Sequence, residues 1–176
     1  KRLELRSSFY KASKPGLLPF WAGIAEAADL EFDLARDGPH ALIVGATGSG
    51  KSEFLKLITS SMLVSSNEKS LQLVLIDFKG GAALRSYAEH PATLTLVTDL
   101  DEGRLERFWL YLAGELKRRE RLLAERRVSS IEHLKDLPRL LVIADELPAI
   151  ISAHQLSLGT LDAIAARGRS LGVHLI

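Results

Sequence analysis

The chain has 176 residues, and its 47% hydrophobic and 26% charged side chains are typical of an ordinary globular domain with one core. Its 23 basic and 22 acidic side chains leave a net charge of +1, which gives no support to general nucleic-acid binding over a broad surface. The absence of cysteine excludes a disulfide, a thiolate metal site and a thiol nucleophile, and no apolar stretch approaches the ~20 residues of a membrane span.

The first part of the chain gives the weakest pattern. Prolines and glycines interrupt residues 1–30, which we interpret as an N-terminal extension that packs on the core or leads into it. Residues 31–34 alternate polar and apolar side chains, which predicts a half-buried strand. We therefore place the main domain at residues 31–176.

From residue 40 onward, short apolar runs alternate with stretches of helical periodicity. Buried strands are predicted at 41–44, 71–76, 93–97, 140–144 and from 173 to the end. Helices are predicted at 52–64, at about 101–127 and at 156–169. This alternation indicates an α/β fold with a mostly parallel central sheet and helices on both faces, in which ligands bind beyond the carboxyl ends of the strands.

A glycine-rich segment follows the first of these strands. The sequence GATGSGKS at 45–52 matches the pattern GxxxxGK[ST] in full, between an apolar strand and an amphipathic helix. Glycines let several backbone N–H groups converge on one phosphate, and the start of the helix adds its positive end. We expect Lys51 to face the β- and γ-phosphates and the Ser52 hydroxyl to bind magnesium, so ATP and Mg²⁺ are the predicted cofactors. The predicted nucleotide-binding residues are Gly45, Ala46, Thr47, Gly48, Ser49, Gly50, Lys51, Ser52 and Glu53.

Two predicted strands end in an aspartate that could hold the magnesium ion, Asp77 and Asp145. We favour Asp145 as the metal ligand because Glu146 follows it directly and can orient the attacking water as the catalytic base. Phe78 follows Asp77 and cannot do this, so a structural or substrate-coupling role for Asp77 stands beside a metal role. Residues 79–81 are interpreted either as a tight turn or as a close approach to a ligand or a neighbouring subunit.

Taken together, these segments resemble the FtsK/SpoIIIE family of ring-forming motor ATPases. The resemblance is carried by GATGSGKS at 45–52, LVLIDFKGGAAL at 73–84, LLVIADEL at 140–147 and ARGRSLGVHLI at 166–176. The second segment is most similar to the ATPases of type VII secretion. The resemblance implies a RecA-like P-loop fold, ATP hydrolysis at subunit interfaces, a hexameric ring, and a parent protein at the cytoplasmic face of the bacterial plasma membrane.

The resemblance also leads to expectations about completeness and about a residue supplied by a neighbour. In this family the last strand continues into a segment whose polar residue senses the γ-phosphate, so we expect the core to be truncated after the strand that starts near residue 172. The piece itself is expected to be soluble and slow in turnover. Ring ATPases commonly complete the site with an arginine from the next subunit, for which Arg167 and Arg169 are the candidates and Arg85 and Arg104 weaker options. A solvated helix end is the alternative for the first two.

The remaining charges are interpreted as structural. The basic residues of 117–127 alternate with glutamates at helix-surface spacing, which indicates a solvated face. No zinc site is expected, because the five histidines have no ligand spacing.

The leading hypothesis is an ATP-hydrolysing motor domain that powers type VII-like secretion. It would act on a secreted polypeptide together with neighbouring ATPase domains of the parent chain. One alternative is a double-stranded DNA translocase domain. Another is a regulatory nucleotide-binding module with little turnover. A P-loop kinase is disfavoured by Glu146 and by the absence of an obvious lid segment.

Overall fold

The computed structural model describes residues 16–26, 28–78, 83–99, 102–134 and 136–176. The elements in chain order are β1 (Pro19–Ala25), β2 (Ala28–Asp33), α1 (Leu34–Asp37), α2 (Lys51–Ser65), β3 (Leu71–Asp77), β4 (Thr93–Thr98), α3 (Glu102–Glu125), β5 (Arg139–Asp145), α4 (Leu147–Ala153), α5 (Gln155–Leu171) and β6 (Val173–Leu175). Short 3₁₀ turns lie at Arg85–Tyr87 and Ile131–His133. Residues 79–81, which the sequence singled out, lie outside the described residues.

The central sheet is parallel and has the order β4-β3-β5-β6. Strands β3 and β5 pair in register along their whole length, so Asp77 and Asp145 are neighbours at the carboxyl edge. Both strands are buried almost throughout, because helices cover both faces of the sheet. The predicted α/β fold class is thus confirmed.

Alternate residues of β3 and β5 enter two separate core layers, as expected from the two-residue period of a strand. One layer packs the sheet against α3, α4 and α5 and includes Val74, Ile76, Val142, Trp109, Leu112, Ile150 and Ile164. The other packs the opposite face against α2 and the β1–β2 hairpin and includes Leu73, Leu75, Leu141, Ile143, Ile58, Met62 and Phe20. The sheet is therefore the middle of three layers.

The β1–β2 hairpin packs onto α2 and makes hydrogen bonds to it. The backbone N–H of Trp21 donates to Ser61 Oγ at 2.7 Å, and Ser65 Oγ donates to the Pro19 carbonyl at 3.2 Å. Strand β2 ends at Asp33, whose side chain accepts from two backbone N–H groups of α1. The hairpin therefore crosses the predicted boundary at residue 30.

The prediction of a buried strand at 41–44 is wrong. His40 forms a parallel bridge with Leu175, and the Ala41 N–H donates to the Leu175 carbonyl at 2.9 Å, but the ladder ends there. Leu42 and Val44 are 74% and 83% exposed. Among the described residues, no backbone hydrogen bond to a neighbouring strand is formed by residues 42–44. The segment extends the sheet beyond β6 without a strand's hydrogen bonds.

The helix α3 differs from the prediction at one charged residue. The interpretation of its charges as a solvated face is wrong for Arg119, which is only 1% exposed. The Arg119 guanidinium donates to the carbonyls of Leu171 and Pro138 at 3.0 and 2.9 Å and to Glu115 Oε1 at 2.7 Å. Arg119 therefore joins α3 to the end of α5 and to the start of β5.

Candidate nucleotide-binding site

The glycine-rich loop turns the chain sharply into α2. Gly48 and Gly50 have φ angles of 80° and 92°, in the left-handed region that only glycine adopts at low cost, and Gly50 caps the helix. Within the loop the Ser49 N–H donates to the Ala46 carbonyl at 3.1 Å. The loop thus ends at the first turn of a 15-residue helix, whose N-terminal N–H groups have no partner within the helix and favour an anion.

Lys51 lies over this loop. Its Nζ donates to the carbonyls of Gly45 and Ala46 at 2.7 and 3.1 Å. Gly45 allows this close packing, since a Cβ there would lie 2.5 Å from Ser49 Oγ. The ammonium group is therefore held beside the loop, where a point charge can attract phosphate oxygens.

Ser52 and Asp145 meet at the carboxyl edge of the sheet. The Ser52 hydroxyl donates to Asp145 Oδ2 at 3.2 Å, although the two residues are 93 positions apart in the sequence. Asp145 is the last residue of β5 and is buried, and its Oδ1 accepts the Glu146 N–H at 3.1 Å. The fold thus brings together the loop and the acidic strand end that the sequence predicted separately.

Glu146 turns the chain out of β5 and into α4. Its backbone is left-handed, with φ 63° and ψ 59°, and Pro148 follows in the first turn of the helix. The residue lines a cleft of about 470 Å³ together with Lys51, Asp145 and Thr47. The volume is within the range of small-molecule sites, so the cleft can hold a reacting group beside this carboxylate.

The oxygen atoms at this place fit a magnesium ion. A serine hydroxyl and a carboxylate are hard ligands, and Mg²⁺ usually takes one or two protein ligands and completes its shell with phosphate oxygens and water. Among the described residues there is no cluster of three or more His, Asp or Glu that could hold a metal ion. The Ser52–Asp145 pair supplies two oxygen ligands of the kind that Mg²⁺ takes from a protein.

Asp77 uses its carboxylate differently. It is completely buried, and its Oδ2 accepts the N–H groups of Ala83 and Leu84 at 2.9 and 3.0 Å. It also lies one strand further than Asp145 from the glycine-rich loop at 45–52, because β5 and β6 separate β3 from the segment 40–45. These contacts favour the structural role among the alternatives left open by the sequence.

The arginines predicted to act on a neighbour do not approach the loop of their own chain. Arg167 and Arg169 are exposed near the end of α5, at the amino edge of the sheet and so opposite to Asp145. Arg167 forms an ion pair with Glu120 of α3. Arg85 and Arg104 follow β3 and β4 and lie towards the carboxyl edge. A role in trans stays a prediction for all four.

Sequence reasoning missed a buried polar cluster at the amino edge of the sheet. His174 is completely buried, Arg139 is nearly so, and the Arg139 guanidinium donates from Nη1 to His174 Nε2 at 3.0 Å. One signal was present, because His174 stands inside an apolar strand. Arg119 likewise falls in register with Leu112, Leu116 and Leu123 on the apolar stripe of α3.

Comparisons with known proteins concern the family and the fold of this chain. The sequence pattern of the FtsK/SpoIIIE family matches residues 3–138. The ESX-4 secretion system protein EccC4 of Mycobacterium tuberculosis is 38% identical over 152 residues, which cover 79% of this chain and 12% of that protein. The cytoplasmic domain of the Thermomonospora curvata type VII secretion ATPase EccC has a TM-score of 0.82 at 31% identity, and the match covers 96% of this chain and 22% of that one.

A second Thermomonospora curvata EccC structure, of ATPases 2 and 3 in complex with a signal sequence peptide, also has a TM-score of 0.82. Its identity is 22%, over 92% of this chain and 32% of that one, so this likeness concerns the fold alone. The chain spans only 12% to 32% of the length of these three relatives.

Proposed function

Because this chain belongs to the FtsK/SpoIIIE family, we propose that it binds ATP with Mg²⁺ and hydrolyses it as one motor domain of a longer type VII secretion protein. The observation that carries the proposal is the 3.2 Å contact between Ser52 Oγ and Asp145 Oδ2, beside a complete phosphate loop. Both groups are oxygen ligands, and both lie at the carboxyl edge where nucleotides bind in parallel sheets.

The residues of the cleft have separate tasks in this proposal. The backbone N–H groups of 45–53 and the Lys51 ammonium bind the phosphates, and Ser52 and Asp145 hold the metal. When bound, Mg²⁺ supplies positive charge to the β- and γ-phosphate oxygens. Glu146 orients the attacking water and accepts its proton, since its carboxylate lines the same cleft.

The names of the relatives support the secretion part of the proposal. In the intact protein, the domain would work in a hexameric ring with neighbouring ATPase domains, at the cytoplasmic face of the plasma membrane, on a secreted polypeptide. No helix among the described residues has the length and apolar character needed to cross a membrane. Arg167 or Arg169 of a neighbouring copy would complete the site. Such an arginine contributes ~10³–10⁵ in rate, so turnover by the chain alone is expected to be slow.

Two substitutions test the nucleotide chemistry. Lys51→Ala is expected to weaken binding of a fluorescent ATP analogue, because it removes the charge beside the loop. Glu146→Gln is expected to bind the analogue normally and to release no phosphate in a long incubation, because it loses the base. The matched controls are Lys69→Ala and Glu68→Gln, exposed residues at the opposite edge of the sheet, which should behave as the original chain does. Absence of Mg-ATP binding by the original chain, or normal hydrolysis by Glu146→Gln, would contradict the proposal.

The substrate part needs its own measurement. Phosphate release is measured with a signal sequence peptide and, separately, with double-stranded DNA. Stimulation by the peptide alone is the expected result. Stimulation by DNA alone would replace secretion with DNA translocation.

A further inference from the structure

The buried His174 side chain makes two hydrogen bonds that fix its protonation. Its Nδ1 lies 2.8 Å from the Pro39 carbonyl oxygen and its Nε2 lies 3.0 Å from Arg139 Nη1. A carbonyl can only accept and a guanidinium can only donate, so the proton is on Nδ1 and the lone pair on Nε2. Burial lowers the pKa of His174 to about 3, so the ring is neutral near pH 7.

Each hydrogen-bond partner of His174 lies at the start of one of the two segments that lead to the nucleotide site, which we call its arms: β5, which ends at Asp145, and residues 39–45, which lead into the phosphate loop at 45–52. Arg139 is the first residue of β5, and Pro39 is the first residue of the other arm. These arms do not pair with each other, because β6 lies between them. Backbone contact between the phosphate-loop arm and β6 is made at Leu175, whose carbonyl accepts the Ala41 N–H at 2.9 Å and whose N–H donates to His40 Nδ1 at 3.0 Å. The His174 imidazole therefore connects the starts of both arms directly.

We propose that His174 is a positioning residue that sets the spacing of Ser52 and Asp145, and thereby the affinity of the site for Mg²⁺ with nucleotide. The inference rests on the proposed function. His174 does not touch the nucleotide, because it pairs with Leu141, which lies four residues or ~13 Å of strand before Asp145. It acts by holding the starts of the two arms at a fixed separation, which sets the positions of Ser52 and Asp145 at their other ends. The required precision is high, since Mg²⁺ needs near-octahedral ligands at about 2.1 Å and a 1 Å displacement of a reacting group can cost about 100-fold.

Three substitutions separate the two hydrogen bonds. His174→Leu removes both. His174→Asn can keep the bond to Pro39, because its amide nitrogen takes the position of Nδ1, and His174→Gln can keep the bond to Arg139, because its amide oxygen takes the position of Nε2. The measured quantities are binding of a fluorescent ATP analogue in EDTA and the Mg²⁺ concentration that gives half of the metal-dependent change. We expect His174→Leu to raise this Mg²⁺ concentration about tenfold or more and to leave binding in EDTA within about twofold. His174→Asn and His174→Gln should lie between His174→Leu and the original chain.

The control is Leu112→Ala, which removes a buried side chain of α3 and leaves the link between the arms intact. It should lower the thermal midpoint without changing the Mg²⁺ requirement. The inference is overturned if the His174 variants lose stability and keep the original Mg²⁺ requirement, or if Leu112→Ala raises that requirement equally. If His174→Leu does not fold, the same two outcomes are judged on His174→Asn and His174→Gln. Failure of the original chain to bind Mg-ATP would instead remove the proposed function itself.

Discussion

Arg119 gives the sharpest test of how this fold is stabilised. Replacing it with Met keeps most of the apolar stem and removes the guanidinium. The change leaves the carbonyls of Leu171 and Pro138 without their buried donor, and each unpaired group costs about 1–3 kcal/mol. Glu115 also loses one of its two arginine partners. Breaking a buried pair on one side typically costs about 3–5 kcal/mol, so we expect Arg119→Met to lower the free energy of unfolding by about 4 kcal/mol.

The chain provides a matched control for this prediction. Arg118 forms an ion pair with the same Glu115 at 2.6 Å, but its side chain is 54% exposed. An exposed pair contributes about 0–1 kcal/mol, so Arg118→Met should lower the free energy of unfolding by no more than that. Burial raises the pKa of Glu115, but the hydrogen bonds from Arg118 and Arg119 outweigh it, so the pKa lies below its usual value. The carboxylate is therefore charged near pH 7 in the original chain, and each variant leaves it one arginine partner.

Urea unfolding followed by circular dichroism measures both changes. Arg119→Lys should fall between the two Met variants, because a single ammonium cannot reach both carbonyls and Glu115 in the geometry of a guanidinium. Equal losses for Arg118→Met and Arg119→Met would refute the reasoning, since the two residues share the acid and differ in burial.

Three further predictions concern single positions. The folded pKa of His174 is about 3, so between pH 6 and 4 only the unfolded chain binds this proton and the free energy of unfolding falls as the pH falls. His174→Asn removes the titrating group and should reduce this fall by about 1.4 kcal/mol per pH unit, as measured by urea unfolding at several pH values. Asp77→Ala should cost about 2–4 kcal/mol of stability, because two buried N–H groups lose their acceptor, and should keep Mg-dependent ATP binding. Gly168→Ala should cost about 1–3 kcal/mol, because its Cβ would lie 2.2 Å from the Val173 carbonyl oxygen.

Each of these predictions has a result that contradicts it. An unchanged pH slope in His174→Asn would mean that another group carries the acid response. Loss of the Mg²⁺ dependence in Asp77→Ala at normal stability would make Asp77 a metal ligand. The control for Gly168 is Gly114→Ala on α3, which meets open space and should stabilise the chain by about 0.5–1 kcal/mol, so equal effects at both glycines would rule out the close contact.

The parts of the site that follow a local pattern could be predicted from the sequence. The phosphate loop needs glycines, a lysine and a serine at fixed spacing, and Asp145-Glu146 follows directly after an apolar strand. A parallel sheet brings all its carboxyl ends to one edge, so the meeting of Ser52 and Asp145 follows from the topology.

The remaining features depend on partners that a local pattern does not show. The run at 41–44 has the composition of a strand, but composition does not show which backbone groups pair, and among the described residues the pairing is limited to the bridge of His40 with Leu175 and one hydrogen bond from Ala41. Arg119 looks like a surface charge until its acceptors, 19 and 52 residues away, are known. His174 likewise depends on Pro39, 135 residues earlier in the chain.

The left-handed backbone of Glu146 has a consequence for how this domain can be improved by engineering. A glycine or an asparagine would adopt that conformation at lower cost, so a search for thermostable variants should favour replacing this glutamate. The proposed chemistry requires a carboxylate at the same place, so a replacement that relieves the backbone strain would also abolish the proposed ATP hydrolysis. Selection for thermal stability alone would therefore favour well-folded variants that no longer hydrolyse ATP.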